Sequence, residues 1–194
     1  MNTKINTAVM LIASVVTLTS CEPSMKTKEQ NKKAQVDFAD KELIKRGKYL
    51  VTTSACHDCH SPKIMTPQGP ALDTTRLLSG HPKDQPLGPL VKTQDWILFN
   101  NTLTAAVGPW GVSFSANLTP DDTGIGNWRY EQFETAIRKG KSKGLENNRM
   151  LLPPMPWDMY RNMSDQDLQA IFAYLKSLPK VNNLVPAPIA PDKM

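Results

Sequence analysis

The sequence predicts an all-α domain with long Pro-rich loops, and three observations carry that reading. Apolar residues recur at helical spacing in three separated segments, at 40–53, 129–139 and 164–178. Prolines number 16 against 10 glycines, which favours helices joined by braced loops over a large regular sheet. Aromatic residues make up only 7% of the 194 residues, so a chain this rich in loops leaves room for a bound group to complete its core. Hydrophobic residues at 40% and charged residues at 21% exclude a wholly disordered chain and a multi-span membrane protein.

Residues 1–20 read as an export signal. Lys4 supplies a positive start, and Thr7 to Leu18 form an uncharged, mostly apolar stretch too short to span a bilayer comfortably. The stretch ends in Leu18-Thr19-Ser20-Cys21, which resembles a bacterial lipoprotein signal. The resemblance implies cleavage before Cys21, lipid attachment to its sulfur, and a location on the periplasmic side of a bacterial membrane. Residues 21–37 are polar and charged without apolar periodicity, and read as a flexible tether. The formal charge is +5 with the charges interspersed, so no nucleic-acid partner is expected.

The main domain is expected over 38–180. Its first helix, at 40–53, puts Leu43, Gly47, Leu50 and Val51 on one face. A Pro-rich segment follows from 61 to about 94, with a short helix at 94–103 and a Gly- and Asp-rich loop at 120–127. The next helix, at 129–139, has Asn127 as a plausible N-cap, Phe133, Ala136 and Ile137 inward, and Gly140 just past its end. A Pro-braced loop at 152–156 precedes the last helix. There Ser164 is the N-cap, Asp165 and Asp167 lie in the positive first turn, and Leu168, Ile171, Phe172 and Leu175 repeat at helical spacing before Pro179. Residues 181–194 read as a Pro-rich C-terminal tail.

The chemistry is concentrated in Cys56-His57-Asp58-Cys59-His60. This is C-x-x-C-H, the attachment sequence of a c-type haem. Two residues between the thiols let one short turn meet both vinyl groups, and the following His is brought beneath the iron. A zinc site lacks enough further ligands, with His81 and Cys21 the only other His and Cys. A thioredoxin-like pair would need a βαβ context, and a disulfide across two residues would be strained.

Residues 38–180 resemble a class I bacterial cytochrome c domain, so the expected fold is cytochrome c-like with one covalent haem. The resemblance implies that the first and last helices cross, with Gly47 and Val51 meeting Ile171 and Tyr174. Gly69-Pro70-Ala71-Leu72 is similar to the segment after the haem motif whose proline carbonyl, here Pro70, accepts the proximal His N–H. Two further segments resemble cytochrome subunits of bacterial membrane-bound dehydrogenases. One is Asn117-Leu118-Thr119-Pro120-Asp121 with Thr123 to Trp128; the other is Leu152 to Trp157 with Met163-Ser164-Asp165. Asn117, Thr119 and Arg129 are candidate haem-propionate partners, and Trp128 and Trp157 are candidates either to line the pocket or to bond a propionate through the indole N–H.

Of the nine methionines, Met155 is the favoured sixth ligand, because Pro154 and Pro156 hold a flexible thioether between rigid flanks. It also matches the family's ligand position. Met150, Met159 and Met163 are the rivals, and His81 reads as a surface or hydrogen-bonded residue. The expected function is single-electron outer-sphere transfer by a His60/Met155-ligated haem, not catalysis. The expected partners are redox proteins such as a dehydrogenase, a respiratory complex or an oxidase, with the membrane reached through the lipid. The alternatives are a peroxidase-like haem enzyme or a gas-sensing module with a displaceable Met ligand.

Overall fold

The computed structural model describes residues 36–194, which form one unit. The signal, Cys21 and most of the tether lie outside the described residues. Among the described residues no helix is long and apolar enough to cross a membrane.

Helix α1 (Lys41–Thr53) starts where the Asp40 carboxylate accepts the Leu43 N–H at 2.8 Å, and it buries Gly47, Leu50 and Val51. Helix α2 (Cys56–His60) follows directly. Strands β1 (Lys63–Thr66) and β2 (Gly69–Leu72) then form an antiparallel hairpin. Strands β3 (Leu98–Phe99), β4 (Ala105–Gly108) and β5 (Gly111–Phe114) make a three-stranded antiparallel sheet. Helices α3 (Tyr130–Lys139), α4 (Trp157–Tyr160) and α5 (Asp165–Ser177) complete the order. Helix α3 ends on Gly140 at φ 63°, where an added Cβ would also lie 2.4 Å from the Trp157 ring. Helix α5 begins at Ser164, whose hydroxyl accepts the Asp167 N–H at 3.1 Å.

The core is where α1 crosses α5. A Cβ on Gly47 would sit 1.9 Å from the Ala170 carbonyl oxygen and 2.7 Å from Tyr174 Cβ, so only glycine admits this approach. Val51, Leu168 and Leu175 are buried around the crossing, and Phe172 carries an aromatic group of Phe38, Tyr130 and Phe133.

The helical frame matches the expected elements, and three features correct the rest. The all-α expectation gives way to helices plus two small sheets. The short helix expected at 94–103 is replaced by β3 and a turn, since Leu98 and Phe99 pair with Val107 and Ala106. The N-cap of α3 is Arg129 rather than Asn127. The C-terminal residues, for their part, pack on the domain: Ile189 exchanges backbone hydrogen bonds with Val112 at 2.8 and 3.0 Å. The buried Asn183 amide donates to the Ser79 and His81 carbonyls at 2.7 and 2.9 Å.

Candidate haem site

The Cys-His turn is made by a reversal at the end of α1. Ser54 closes that helix by donating its N–H to the Leu50 carbonyl at 2.8 Å. Ala55, in the left-handed region at φ 57°, redirects the chain into α2. One turn of helix therefore carries Cys56, Cys59 and His60, all partly buried. Burial pushes the Cys56 thiol up to about 11 and raises that of Cys59, so both stay protonated at neutral pH. The two thiols are free.

His60 is fixed by two bonds. Its backbone carbonyl accepts the Gly80 N–H at 2.8 Å. Its Nδ1 lies 2.8 Å from the Ala116 carbonyl oxygen, which can only accept, so the proton is on Nδ1. In the neutral ring Nε2 then keeps its lone pair, the state a metal-binding imidazole needs. Burial lowers the His60 pKa, which favours that neutral form. The expected acceptor, Pro70, is corrected here. Pro70 lies in β2, paired with Met65 in the β1–β2 hairpin, and it is exposed. The segment that reaches His60 is instead 115–118, which runs beside 78–81 through His81 N–H to Ser115 O and Leu118 N–H to Leu78 O, at 2.9 and 2.8 Å.

The neighbours of the turn are tied as well. The Ser61 hydroxyl accepts the Leu78 N–H at 2.8 Å and bonds His57 Nδ1 at 2.9 Å, which accounts for His57 as a structural residue. Lys63 Nζ donates to the carbonyls of His57 and Asp58 at the end of α2. The Tyr160 hydroxyl donates to the Ser54 carbonyl at 2.6 Å, joining α4 to the Cys-bearing turn.

Asn117 is corrected from a haem contact to a buried structural tie. Its Oδ1 accepts from the Thr119 N–H and hydroxyl at 2.9 and 2.8 Å. Its Nδ2 donates to Thr123 Oγ1, the Val181 carbonyl and the Asn183 carbonyl at 3.1, 2.9 and 3.3 Å. A fully committed amide has nothing left for a propionate. Thr119 is consumed in the same network. Trp128 packs against the core cluster.

Met155 is half-buried in the turn between Leu152 and Trp157, with its N–H on the Leu152 carbonyl at 3.3 Å and its carbonyl on the Trp157 N–H at 2.9 Å. Among its rivals Met159 and Met150 are exposed, and Met163 packs on the core. His81 is 1% exposed, bonded to Thr104 Oγ1 at 2.9 Å and against the Phe114 ring at 4.8 Å. Its loop is therefore interior, and the ring is taken up by protein partners.

Sequence reasoning missed Ala116, Tyr160 and Lys63. A backbone acceptor leaves no side-chain signature. Tyr160 and Lys63 act on carbonyls whose positions follow only from the fold.

The residues of the turn fit a covalently held haem: two free thiols on one helical turn and an imidazole oriented through Nδ1. Fold and site together define a small helical domain built around a C-x-x-C-H turn. Residues 44–179 match the family model described as Cytochrome c, and the chain belongs to that family. It is similar to the gluconate 2-dehydrogenase cytochrome c subunit of Pantoea cypripedii, at 34% identity over 71% of this chain and 24% of that protein. The alcohol dehydrogenase (quinone) cytochrome c subunit of Gluconobacter oxydans is 30% identical over 73% of this chain and 22% of its own length. The fructose dehydrogenase cytochrome subunit of Gluconobacter japonicus is 30% identical over 71% of this chain and 21% of its own. The chain thus spans under a quarter of each of these relatives.

Proposed function

We propose that this chain is an exported, membrane-tethered cytochrome with one covalent haem, which passes single electrons between redox proteins. The observation that carries the reading is the His60 Nδ1–H bond to the Ala116 carbonyl, on the same helical turn as both thiols. That bond leaves Nε2 as a ligand atom and fixes the ring against rotation.

Cys56 and Cys59 would hold the haem through thioethers, and His60 and Met155 would supply a nitrogen and a sulfur ligand to its iron. When bound, the group supplies a one-electron ferric/ferrous couple. The residues of this chain do the rest. His60 is kept in one tautomer and one orientation. The Pro154 and Pro156 bracket holds the Met155 thioether, a soft donor that favours the reduced state. With both side chains engaged, no position stays open for substrate or oxygen, which leaves outer-sphere transfer as the chemistry.

Electron exchange with a dehydrogenase is the favoured setting, since the relatives named above carry that word in their names. Lipidation at Cys21 would keep the domain at the membrane, where its donors and acceptors meet it in two dimensions.

The test is the optical spectrum of the mature protein, oxidised, reduced, and reduced with carbon monoxide. A c-type spectrum with the far-red sulfur-to-iron band, unchanged by carbon monoxide and lost in Met155→Ala, is expected. Ready carbon monoxide binding in the wild type would overturn the closed-carrier reading in favour of an enzyme or a sensor.

A further inference from the structure

We propose that Ser113 is a positioning residue for the Met155 loop, and that the three-stranded sheet serves as the brace that holds it. This rests on Met155 being the sulfur ligand.

The Ser113 hydroxyl donates to the Pro153 carbonyl at 2.7 Å, two residues before Met155. It accepts the Trp110 indole N–H at 3.3 Å. A second carbonyl, that of Ala106, lies farther off at 3.4 Å, so the hydroxyl proton goes to Pro153. Ser113 is 8% exposed, which raises the cost of leaving either partner unmet.

The strand that presents this hydroxyl is held on both edges. β4 pairs along one edge, with Ser113 opposite Ala106. Ile189 pairs with Val112 on the other. The β4–β5 turn is closed by packing: a Cβ on Gly108 would lie 2.4 Å from the Trp110 ring, and one on Gly111 would lie 2.0 Å from the Ile189 carbonyl oxygen. The indole is thereby seated where its N–H reaches Ser113.

The Met155 loop needs such a brace. A thioether bond to iron is weak, and its persistence depends on how far the loop can swing. The prolines at 153, 154 and 156 restrict torsions inside the loop and supply no N–H to tie it to the body. A carbonyl at 153 anchored from β5 fixes the loop as a unit. On this account the segment 98–114, whose purpose the helical frame alone does not explain, controls how readily the sulfur is displaced.

The experiment titrates the oxidised holoprotein with imidazole and follows loss of the sulfur-to-iron band. Removing one buried hydrogen bond predicts that Ser113→Ala is half-displaced at an imidazole concentration about two- to tenfold lower than wild type. Ser113→Thr keeps the hydroxyl in a strand-favouring residue and restores the wild-type value. Trp110→Phe keeps the ring, removes only the indole N–H, and gives a smaller shift in the same direction. It also carries the test if Ser113→Ala fails to fold. Wild-type displacement in the Ser113→Ala and Trp110→Phe proteins, with the band lost in Met155→Ala, overturns the role of Ser113 alone. A band that survives Met155→Ala overturns the ligand assignment and this proposal together.

Discussion

The two sides of the proposed site are built on different principles. On the His60 side the imidazole sits on the same helical turn as both thiols, and its ring is bonded to the carbonyl of Ala116. The next residue, Asn117, is buried and tied to Thr119, Thr123, Val181 and Asn183. On the Met155 side the loop is restrained from within by prolines, and from outside by Ser113 on Pro153 and by Trp157 on Gly140. The first side is a cross-linked network; the second is a stiff loop hung from a few points. The difference teaches that damage to the first should cost stability, and damage to the second should change ligand exchange.

The sharpest break in the comparison is at the thiols. Cys56→Ala with Cys59→Ala should abolish covalent haem, read as loss of haem stain from the denatured polypeptide. Retained stain would remove the site from this turn. Next is Gly47→Ala. Its methyl has no room against the Ala170 carbonyl, so it should destabilise by about 3 kcal/mol in urea unfolding. Asn117→Ala should cost about 2–3 kcal/mol by leaving buried partners unmet, with imidazole displacement unchanged. A displacement change as large as that of Ser113→Ala would erase the distinction between the two sides. Ser164→Ala removes a single cap from α5 and should cost about 1 kcal/mol without altering the spectrum.

The smallest effect is in pH. Burial lowers the His81 pKa below its ordinary value near 6.5, so the unfolded chain binds the proton more readily. Stability should therefore fall as pH drops through about 6.5 and level off below the folded pKa. In His81→Gln the slope of unfolding free energy against pH should flatten in that window. An unchanged slope would assign the acid sensitivity elsewhere.

What could be read from the residues was what side chains announce. Cys56, Cys59 and His60 declare a site by spacing, and Leu168, Ile171, Phe172 and Leu175 declare a helix by period. Gly47 at the crossing was legible only through the resemblance to cytochrome c domains, which implied that the first and last helices cross there. Ala116 was illegible, since any residue offers the same carbonyl. Asn117 was misread because an amide serves a propionate and a buried network equally well, and only the fold decides which partners arrive. The sheet escaped because its strands run two to four residues and draw on small side chains, as in Ala105–Gly108. Gly108-Pro109-Trp110-Gly111 was the available turn signal.

The bridge between Ile189 and Val112 bears on the order of events as the chain is made. A polypeptide grows from its N-terminus, so the turn at 56–60 emerges well before α5, Asn183 and Ile189. Until those arrive, α1 has no helix to cross, the 78–81 segment lacks the Asn183 amide, and β5 has an open edge. The turn that carries both thiols is thus made before the segments that close the domain. The last segment therefore closes an interior whose other walls come first: Asn183 ties the 78–81 segment and Ile189 covers the free edge of β5.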